Sequence, residues 1–459
     1  MKLDLSPLSA AKRNLTASVI LLGAAAVLAS QAHASLDKAL KCRLGSYALS
    51  DGRTATIVGF DGTSHDLAYV LSSGEYGRLA WQPGNSYALG NGPLYGTADF
   101  SDCASGTVTL VEAGRPTVRG THTPFRVTET FFDSAGTRLH GKLVLPASGK
   151  ADSVVVWIQG SDDDPATDDE YWQYVLPLRS IGVFVYDKRG SGQSGGELSA
   201  DFAVRAADTA AASREVRRLV PAARQVGVFG GSQGGWVAPL TATKARLDFV
   251  IVGYGLAEGV TAQDRDEVED QVRQAGYGDD AIRKVREITA ATATIVRSHW
   301  MRGWSKFAAI RRKYIREPWI GAIKDTGYTG QLLRAPIAQA RLMGPRLDKH
   351  VSFNYDPRPV IARIAPAQLW VLGGADHTAP NARTVQILER IQKRKSNLDL
   401  VIYNEADHGI SESFTQNGIV RHRHPDSLSD LIARWIVARS LPAPDADLKI
   451  LRGLGARGD

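Results

Sequence analysis

The sequence predicts an α/β protein whose main part is a doubly wound, mainly parallel sheet, preceded by a small all-β segment. Two observations lead to this fold class. After about residue 150, short apolar runs typical of buried strands alternate with stretches of helical periodicity. Before residue 124, short β-branched runs are instead separated by Asp-Gly, Ser-Gly and Gly-Asn-Gly turns. A chain of 459 residues is long enough for both parts.

Residues 1–34 have the pattern of a secretory leader. Lys12 and Arg13 precede an apolar stretch over 15–29, and residues 32–34 (Ala-His-Ala) form a small-x-small cleavage site. The alternative is an uncleaved membrane anchor, which the shortness of the apolar stretch disfavours. We therefore expect a periplasmic or secreted protein with no stable membrane span after the leader is cleaved.

Residues 35–124 are predicted to form the small β-rich domain, as a sandwich or a barrel. They contain both cysteines, Cys42 and Cys103. In an oxidising compartment two cysteines most simply form one disulfide, and the alternatives are two free thiols or a pair of metal ligands. Nothing in this segment has a catalytic pattern. We expect an accessory role for it, with an independent binding module as the alternative.

The charge and the histidine spacing of the sequence argue against a nucleic-acid partner and a metal ion. The formal net charge of +7 is a mild excess for this length. A nucleic-acid-binding protein would carry a basic stripe on a recognisable module, and we find none in the sequence, so we expect no nucleic-acid partner. None of the ten histidines stands in a metal-ligand spacing such as H-E-x-x-H. We expect neither a metal ion nor a cofactor.

The stretch 226–236, V-G-V-F-G-G-S-Q-G-G-W, organises the main domain. An apolar strand breaks into G-x-S-x-G and continues as a helix, which forces Ser232 onto a strained strand-to-helix turn. This turn lifts the hydroxyl above the sheet edge and directs the backbone N–H of Gln233 at a developing negative oxygen. A second G-x-S-x-G over 192–196 follows a charged loop, so Ser194 is predicted to be a loop serine.

Asp376 and His408 are the predicted partners of Ser232. Asp376 follows the apolar run 368–372 and His408 follows the run 398–403. Functional side chains in such sheets come from the carboxyl ends of the strands. A serine hydroxyl needs a base to take its proton, and that base needs an orienting carboxylate.

Two neighbours compete for these roles. Asp407 adjoins His408 and is the alternative acid, but a tight turn would point it the other way. His377 follows Asp376 and could be mistaken for the base, but chain order argues against it. We interpret Asp407 as a structural carboxylate.

Together these motifs resemble the α/β-hydrolase family, whose catalytic residues follow the order Ser, Asp, His. The loop 187–194, D-x-R-G-x-G-x-S, adds to the match. The resemblance is to secreted bacterial esterases and aminopeptidase-like hydrolases. It implies an α/β-hydrolase domain over residues 125–459, with a helical cap inserted at 256–347.

The oxyanion site departs from the family pattern, because relatives often have His-Gly where this chain has Gln159-Gly160. We choose the backbone N–H of Ser161 as the donor beside that of Gln233. The aspartates that follow, residues 162–164, are expected to face solvent or to pair with a basic residue. In the loop 187–194, Asp187 and Arg189 are predicted to pair with each other.

The tryptophans and basic residues of the predicted cap have two interpretations. Its tryptophans (Trp300, Trp304, Trp319) stand beside a group of basic residues between 302 and 316. They can form an apolar inner face behind a solvated basic face, or a pocket wall that attracts acidic or aromatic substrates.

The sequence therefore predicts an exported serine hydrolase with a Ser232–His408–Asp376 triad, most simply acting on a small-molecule carboxylic ester. The same triad would serve a peptidase or a thioesterase. A peptidase would need acidic groups for a free amino terminus, for which Asp162, Asp163 and Glu170 are candidates. The alternative from another class is a non-catalytic binding protein on this fold.

Overall fold

The structure, a computed structural model, describes residues 36–60, 63–90, 92–348 and 350–453. The predicted leader over 1–34 lies outside these residues. Two β-sheets organise the described chain, one formed mainly by the N-terminal segment and one by the remainder. Among the described residues, none of the helices combines the length and hydropathy needed to cross a bilayer.

Eight antiparallel strands form a closed barrel, which we call the barrel from here on. Each strand pairs with the next in sequence, and the last pairs with the first. Alternating burial along the strands packs one set of side chains into the barrel core. The predicted all-β segment is thus confirmed in its barrel form. Its strands are β1 (Gly45–Leu49), β2 (Thr54–Gly59), β3 (Leu67–Leu71), β4 (Glu75–Trp81), β5 (Ser86–Leu89), β6 (Gly96–Phe100), β7 (Thr107–Glu112) and β8 (Val118–His122).

The predicted disulfide is present. A 3₁₀ helix, Lys38–Arg43, precedes β1 and carries Cys42, which is bonded to Cys103 in the turn after β6. The two Cα atoms are 5.7 Å apart, and the residues are separated by 61 positions in sequence. The bond therefore links the segment before β1 to the loop between β6 and β7.

The second sheet belongs to the predicted α/β domain and has nine strands in the order β19-β16-β15-β14-β13-β11-β12-β10-β9. Strands β11 to β16 are parallel, and the edges are antiparallel. The strands are β9 (Arg126–Ser134), β10 (Thr137–Leu145), β11 (Ser153–Ile158), β12 (Gly182–Tyr186), β13 (Gln225–Gly231), β14 (Phe249–Gly253), β15 (Ala367–Gly373), β16 (Leu398–Tyr403) and β19 (Leu448–Leu451). The doubly wound, mainly parallel sheet is confirmed.

Helices cover both faces of this sheet, because its central strands are apolar on both sides. They are α1 (Ala166–Asp169), α2 (Trp172–Val175), α3 (Phe202–Leu219), α4 (Gly234–Thr241), α10 (Arg358–Arg363), α11 (Ala382–Gln392) and α12 (Leu428–Ala438). The helical periodicity over 171–180 does not produce one continuous helix. Pro177 lacks the N–H that a continuing helix needs, so α2 stops and a 3₁₀ turn, Pro177–Arg179, follows.

The cap consists of α5 (Val260–Gln274), α6 (Asp279–Arg297), α7 (Trp304–Tyr314), a 3₁₀ helix (Pro318–Ala322), α8 (Tyr328–Arg334) and α9 (Ile337–Leu347). Its own apolar core contains Trp300, Trp304 and Trp319, all of them buried. The apolar inner face is therefore the correct interpretation of these tryptophans.

One hairpin leaves the α/β domain and joins the barrel. Strands β17 (Glu412–Gln416) and β18 (Ile419–Arg423) follow the loop after β16, and β18 pairs with the first residues of β4. The sequence analysis missed this hairpin. Its turn, Asn417-Gly418, has both residues at positive φ, which is the hairpin signal that was available in the sequence.

Candidate active site

Ser232 occupies the strained turn that the sequence predicts. It follows β13, precedes α4 and has a φ of 52°. Glycine is required on both sides of it. A Cβ on Gly230 would lie 2.2 Å from the carbonyl oxygen of Gly234, and one on Gly234 would lie 2.3 Å from that of Ile158. The backbones of strand and helix thus approach closely enough to push the Ser232 side chain outward.

The structure brings Ser232, His408 and Asp376 together. The Ser232 hydroxyl lies 3.1 Å from Nε2 of His408, and Nδ1–H of His408 donates to Oδ2 of Asp376 at 2.9 Å. The other carboxylate oxygen of Asp376 accepts the backbone N–H groups of Thr378 and Ala379. Because Nδ1 carries the proton that is donated to Asp376, Nε2 of the neutral ring has a free lone pair that faces the Ser232 hydroxyl.

The imidazole of His408 is electrostatically prepared to take a proton. Burial lowers its pKa, but the charge and hydrogen bond of Asp376, with smaller contributions from Asp407 and Glu267, outweigh burial and raise the pKa above the ordinary value. The ring also packs edge-on against Tyr254, with centroids 5.1 Å apart. His408 is thus a stronger base than a solvated histidine.

The competing residues have other partners. Asp407 accepts the backbone N–H of His377 with its carboxylate, and His377 pairs with Asp270 of the cap at 2.9 Å. The hydroxyl of Ser194 donates to the carbonyl of Asp187 and accepts the N–H of His140. Asp407 and Ser194 are therefore bonded as structural residues.

Two buried cations hold the loop that carries Ser161, and the sequence analysis missed both. Arg205 of α3 donates to the carbonyl of Gln159 and to the side-chain oxygen of Gln233. Lys188 donates to the carbonyl of Gly160 at 3.3 Å. Both side chains are buried, and burial lowers the pKa of each. Arg205 joins the Ser161 loop to the start of α4, where the first backbone N–H groups have no acceptor within the helix, and Lys188 bonds the loop alone.

Of the two pairings predicted for charged residues of the surrounding loops, one is present and the other is not. Asp162 pairs with Lys188 at 3.6 Å, as the sequence predicts for an aspartate near this site. The predicted pairing of Asp187 with Arg189 is wrong. Asp187 instead accepts from His140 and Thr167, while Arg189 forms two bonds to Asp208 of α3. Asp187 and Arg189 are therefore each bonded to residues of other elements and not to each other.

A pocket with about 920 Å³ of empty space, counting its open mouth, lies between Ser232 and the cap. Its apolar lining includes Phe202, Trp236, Tyr254, Leu256, Val260, Tyr328, Val351 and Phe353. The three cap tryptophans are absent from its lining, so the interpretation of a tryptophan-lined wall beside basic residues is wrong.

Three cap carboxyl groups also line this pocket: Asp264, Glu267 and Asp348. Desolvation by burial raises the pKa of Asp264 to about 6 and those of Glu267 and Asp348 to about 7. Asp348 is 1% exposed, and the nearby indole of Trp300 offsets only part of the effect of burial on its pKa. Among the described residues, the lining contains no lysine or arginine to neutralise these groups.

Comparison with known proteins identifies the chain. The model of the family described as "Alpha/beta hydrolase family" matches residues 139–417, which is well over half of the sequence. The chain belongs to the α/β-hydrolase family. It is a hydrolase, as the resemblance implied, and it carries an N-terminal β-barrel. No curated protein matches the sequence.

Solved structures of similar fold include esterases and peptidases. An esterase of Pyrococcus furiosus is 14% identical, with a TM-score of 0.39 over 62% of this chain and 84% of that one. An acylaminoacyl peptidase of Pyrococcus horikoshii is 13% identical, with a TM-score of 0.43 over 83% and 55%. A proline iminopeptidase of Mycobacterium smegmatis is 12% identical, with a TM-score of 0.39 over 68% and 98%.

Across the described ranges, no three histidine, cysteine or carboxylate residues gather as metal ligands would. The polar groups at hand near Ser232 are one imidazole, four carboxyl groups and the two cations behind the Ser161 loop. Such a set can move protons and stabilise charge.

Replacing Asp376 by Asn is expected to lower the pKa of His408, because the amide keeps the shape of the carboxylate but removes its charge. Asp407→Asn should lower it less, since Asp407 contributes a smaller share. An NMR titration of the His408 Cε1–H resonance, assigned with His408→Ala, measures both. A larger decrease in Asp407→Asn than in Asp376→Asn would mean that Asp376 is not the main partner of the imidazole.

Proposed function

We propose that this hydrolase cleaves carboxylic esters through an acyl-enzyme, with Ser232 as nucleophile, His408 as general base and acid, and Asp376 as the orienting carboxylate. The observation that supports this most directly is the position of His408, which bonds Asp376 through one ring nitrogen and faces the Ser232 hydroxyl with the other. This is the arrangement that activates a serine hydroxyl.

The proposed reaction has two steps. The Ser232 oxygen attacks the ester carbonyl carbon while its proton passes to Nε2 of His408. The tetrahedral intermediate collapses, the bond to the alcohol oxygen breaks, and His408 gives its proton to the departing alcohol. Water then attacks the acyl-enzyme, again losing a proton to His408, and the carboxylic acid leaves as Ser232 regains its proton. Asp376 stabilises the imidazolium in both steps and keeps the ring in its tautomer.

The negative oxygen of the intermediate is proposed to lie against the backbone N–H groups of Gln233 and Ser161. Gln233 begins α4, so the partial positive charge of the helix N-terminus adds to its N–H. Arg205 bonds the side chain of Gln233 and the loop just before Ser161, which supports a fixed distance between the two donors. Preorganised donors of this kind are each worth about 10²–10³-fold in turnover.

Ser232→Ala and His408→Ala are each expected to reduce ester hydrolysis by about 10⁴-fold or more, and the double variant should lose little beyond either single variant. The reason is that nucleophile and base act as one unit. Initial rates on a p-nitrophenyl ester series measure the loss, and a fluorophosphonate probe should label wild type but not Ser232→Ala.

Ser194→Ala is the matched control, since Ser194 occupies the second G-x-S-x-G and is bonded within its own loop. It should label as wild type does. Labelling that disappears with Ser194→Ala and persists in Ser232→Ala would reverse the assignment. A wild-type protein that neither labels nor hydrolyses any acyl substrate would favour the non-catalytic alternative.

A second candidate function, hydrolysis of substrates with a free amino group, is favoured by the carboxyl groups of the pocket. Burial raises the pKa values of Asp264, Glu267 and Asp348, so a bound ammonium group would stabilise their charged forms, and among the residues the structure describes the lining has no lysine or arginine to compete with it. Asp162 and Glu170, considered for this role from the sequence, are bonded elsewhere, to Lys188 and to the N–H of Trp172. Aminoacyl esters or amino-terminal peptides are the substrates that this lining would suit.

Asp348→Asn and Glu267→Gln are expected to lower the preference for alanine methyl ester over N-acetylalanine methyl ester by about tenfold or more, because a charge-assisted hydrogen bond is lost. The measurement is the ratio of the two kcat/KM values in each variant. Asp279→Asn, on the exposed side of the cap, should keep the wild-type ratio. A ratio unchanged in all three variants would rule out these carboxyl groups as the amine site.

We further propose that the protein is exported and that its leader is removed after residue 34. The leader pattern supports this, and the Cys42–Cys103 disulfide is typical of an oxidising compartment. Expression in a Gram-negative host followed by cell fractionation and intact-mass analysis should give a periplasmic or secreted protein beginning at Ser35. A full-length cytoplasmic product would contradict export.

A further inference from the structure

The loop that carries His408 is attached to both parts of the protein. At one end it continues from β16 of the α/β sheet, and at the other it enters the β17–β18 hairpin. In the pairing of β18 with β4, His422 lies opposite Tyr76 and Arg423 opposite Glu75. The backbone N–H of His424 then donates to the carbonyl of Gly74 at 2.9 Å.

An arginine anchors the hairpin in the barrel. The Arg421 side chain is 1% exposed and donates to Glu75 of β4 at 2.6 Å, with Glu112 of β7 at 3.7 Å. Its guanidinium lies 3.9 Å from the ring centroid of Tyr95. Arg115 bonds both glutamates as well, and Arg53 bonds Glu112, so their charges are shared between two barrel arginines and the hairpin arginine. Without Arg421, two buried carboxylates would lose a partner.

Two aromatic residues connect this anchor to the His408 loop. The Tyr76 and Ser411 hydroxyls hydrogen-bond at 2.6 Å, and the carbonyl of Ser411 accepts the N–H of Asp407 at 2.7 Å. The Tyr76 ring stacks on His424, with centroids 4.7 Å apart. His424 in turn donates from Nδ1 to the carbonyl of Ile410 at 2.9 Å.

The loop needs such support because its backbone is strained. Gly409 and Ile410 follow His408 with φ values of 80° and 56°. A β-branched residue at positive φ is costly and persists only where its surroundings hold it. The Ile410 side chain packs in the apolar core of the α/β domain, and its carbonyl is held by His424, which stacks on Tyr76 of β4.

We infer that the N-terminal barrel positions the His408 imidazole for catalysis, with Arg421 and Tyr76 as the positioning residues. The inference rests on the proposed function, since it assigns His408 a role in turnover. The pocket walls come from the cap and the α/β sheet, so a shifted His408 loop changes proton transfer more than substrate binding. A displacement of about 1 Å in such a group reduces turnover by up to about 10²-fold.

The test uses the full chain and four variants on a p-nitrophenyl ester. Arg421→Ala is expected to lower kcat by about ten- to a hundredfold with KM within about twofold, and Arg421→Lys should recover part of the loss. Tyr76→Phe keeps the ring stacking and removes one hydroxyl, so it should fold normally and lose about three- to tenfold in kcat. Arg423→Ala is the control on the same strand, because Arg423 is half exposed and pairs with Glu412 within the hairpin.

The outcomes separate this inference from the proposed function. If wild type neither reacts with the fluorophosphonate probe nor hydrolyses esters, the proposed function is wrong. If wild type is active while folded Arg421→Ala and Tyr76→Phe keep its kcat, the barrel has no positioning role, even if the melting temperature falls. Should Arg421→Ala not fold, an unchanged kcat in Tyr76→Phe alone overturns the inference. A loss of kcat in Arg423→Ala equal to that in Arg421→Ala overturns it too.

Discussion

The imidazole of His408 lies between Ser232 and Asp376, and the rest of the structure depends on keeping it there. Its loop cannot do so alone, because two consecutive residues after it have positive φ. The His408 loop is held at both ends. Strand β16 precedes it, and the β17–β18 hairpin that follows it pairs with the barrel. A domain without catalytic motifs thus has a direct physical connection to the reacting centre.

Charge is distributed unevenly around the pocket. Behind the Ser161 loop lie the buried cations Arg205 and Lys188, while the cap side contributes carboxyl groups, among them Glu267. Positive charge therefore lies behind the Ser161 loop, whereas carboxyl groups line the cap side of the pocket. Under the proposed function, this polarity would suit a substrate whose remaining part is apolar or cationic. It also explains why Glu267 contributes to the raised pKa of His408.

Much of this site could be predicted from short stretches of sequence. The alternation of apolar strands with helices predicted the sheet, and the glycines around Ser232 predicted the turn. Asp376 and His408 were found because each follows an apolar strand. The pocket lining was not predicted, since Glu267 lies on one cap helix and Asp348 follows the end of another, where nothing local distinguishes a pocket face from a solvated one. The predicted Asp187–Arg189 pairing was wrong for a related reason, because charged side chains two positions apart in a loop need not point toward each other.

The sequence by itself determined the fold class, the strained serine turn and the disulfide, because each is encoded within a few residues or in the count of a residue type. Only the tertiary structure decided which partners the buried charges have and where the barrel attaches. Arg421 meets Glu75 across 346 positions of the chain. A contact of that range depends on how two domains pack, and packing depends on the free energy of the whole assembly rather than on any local pattern.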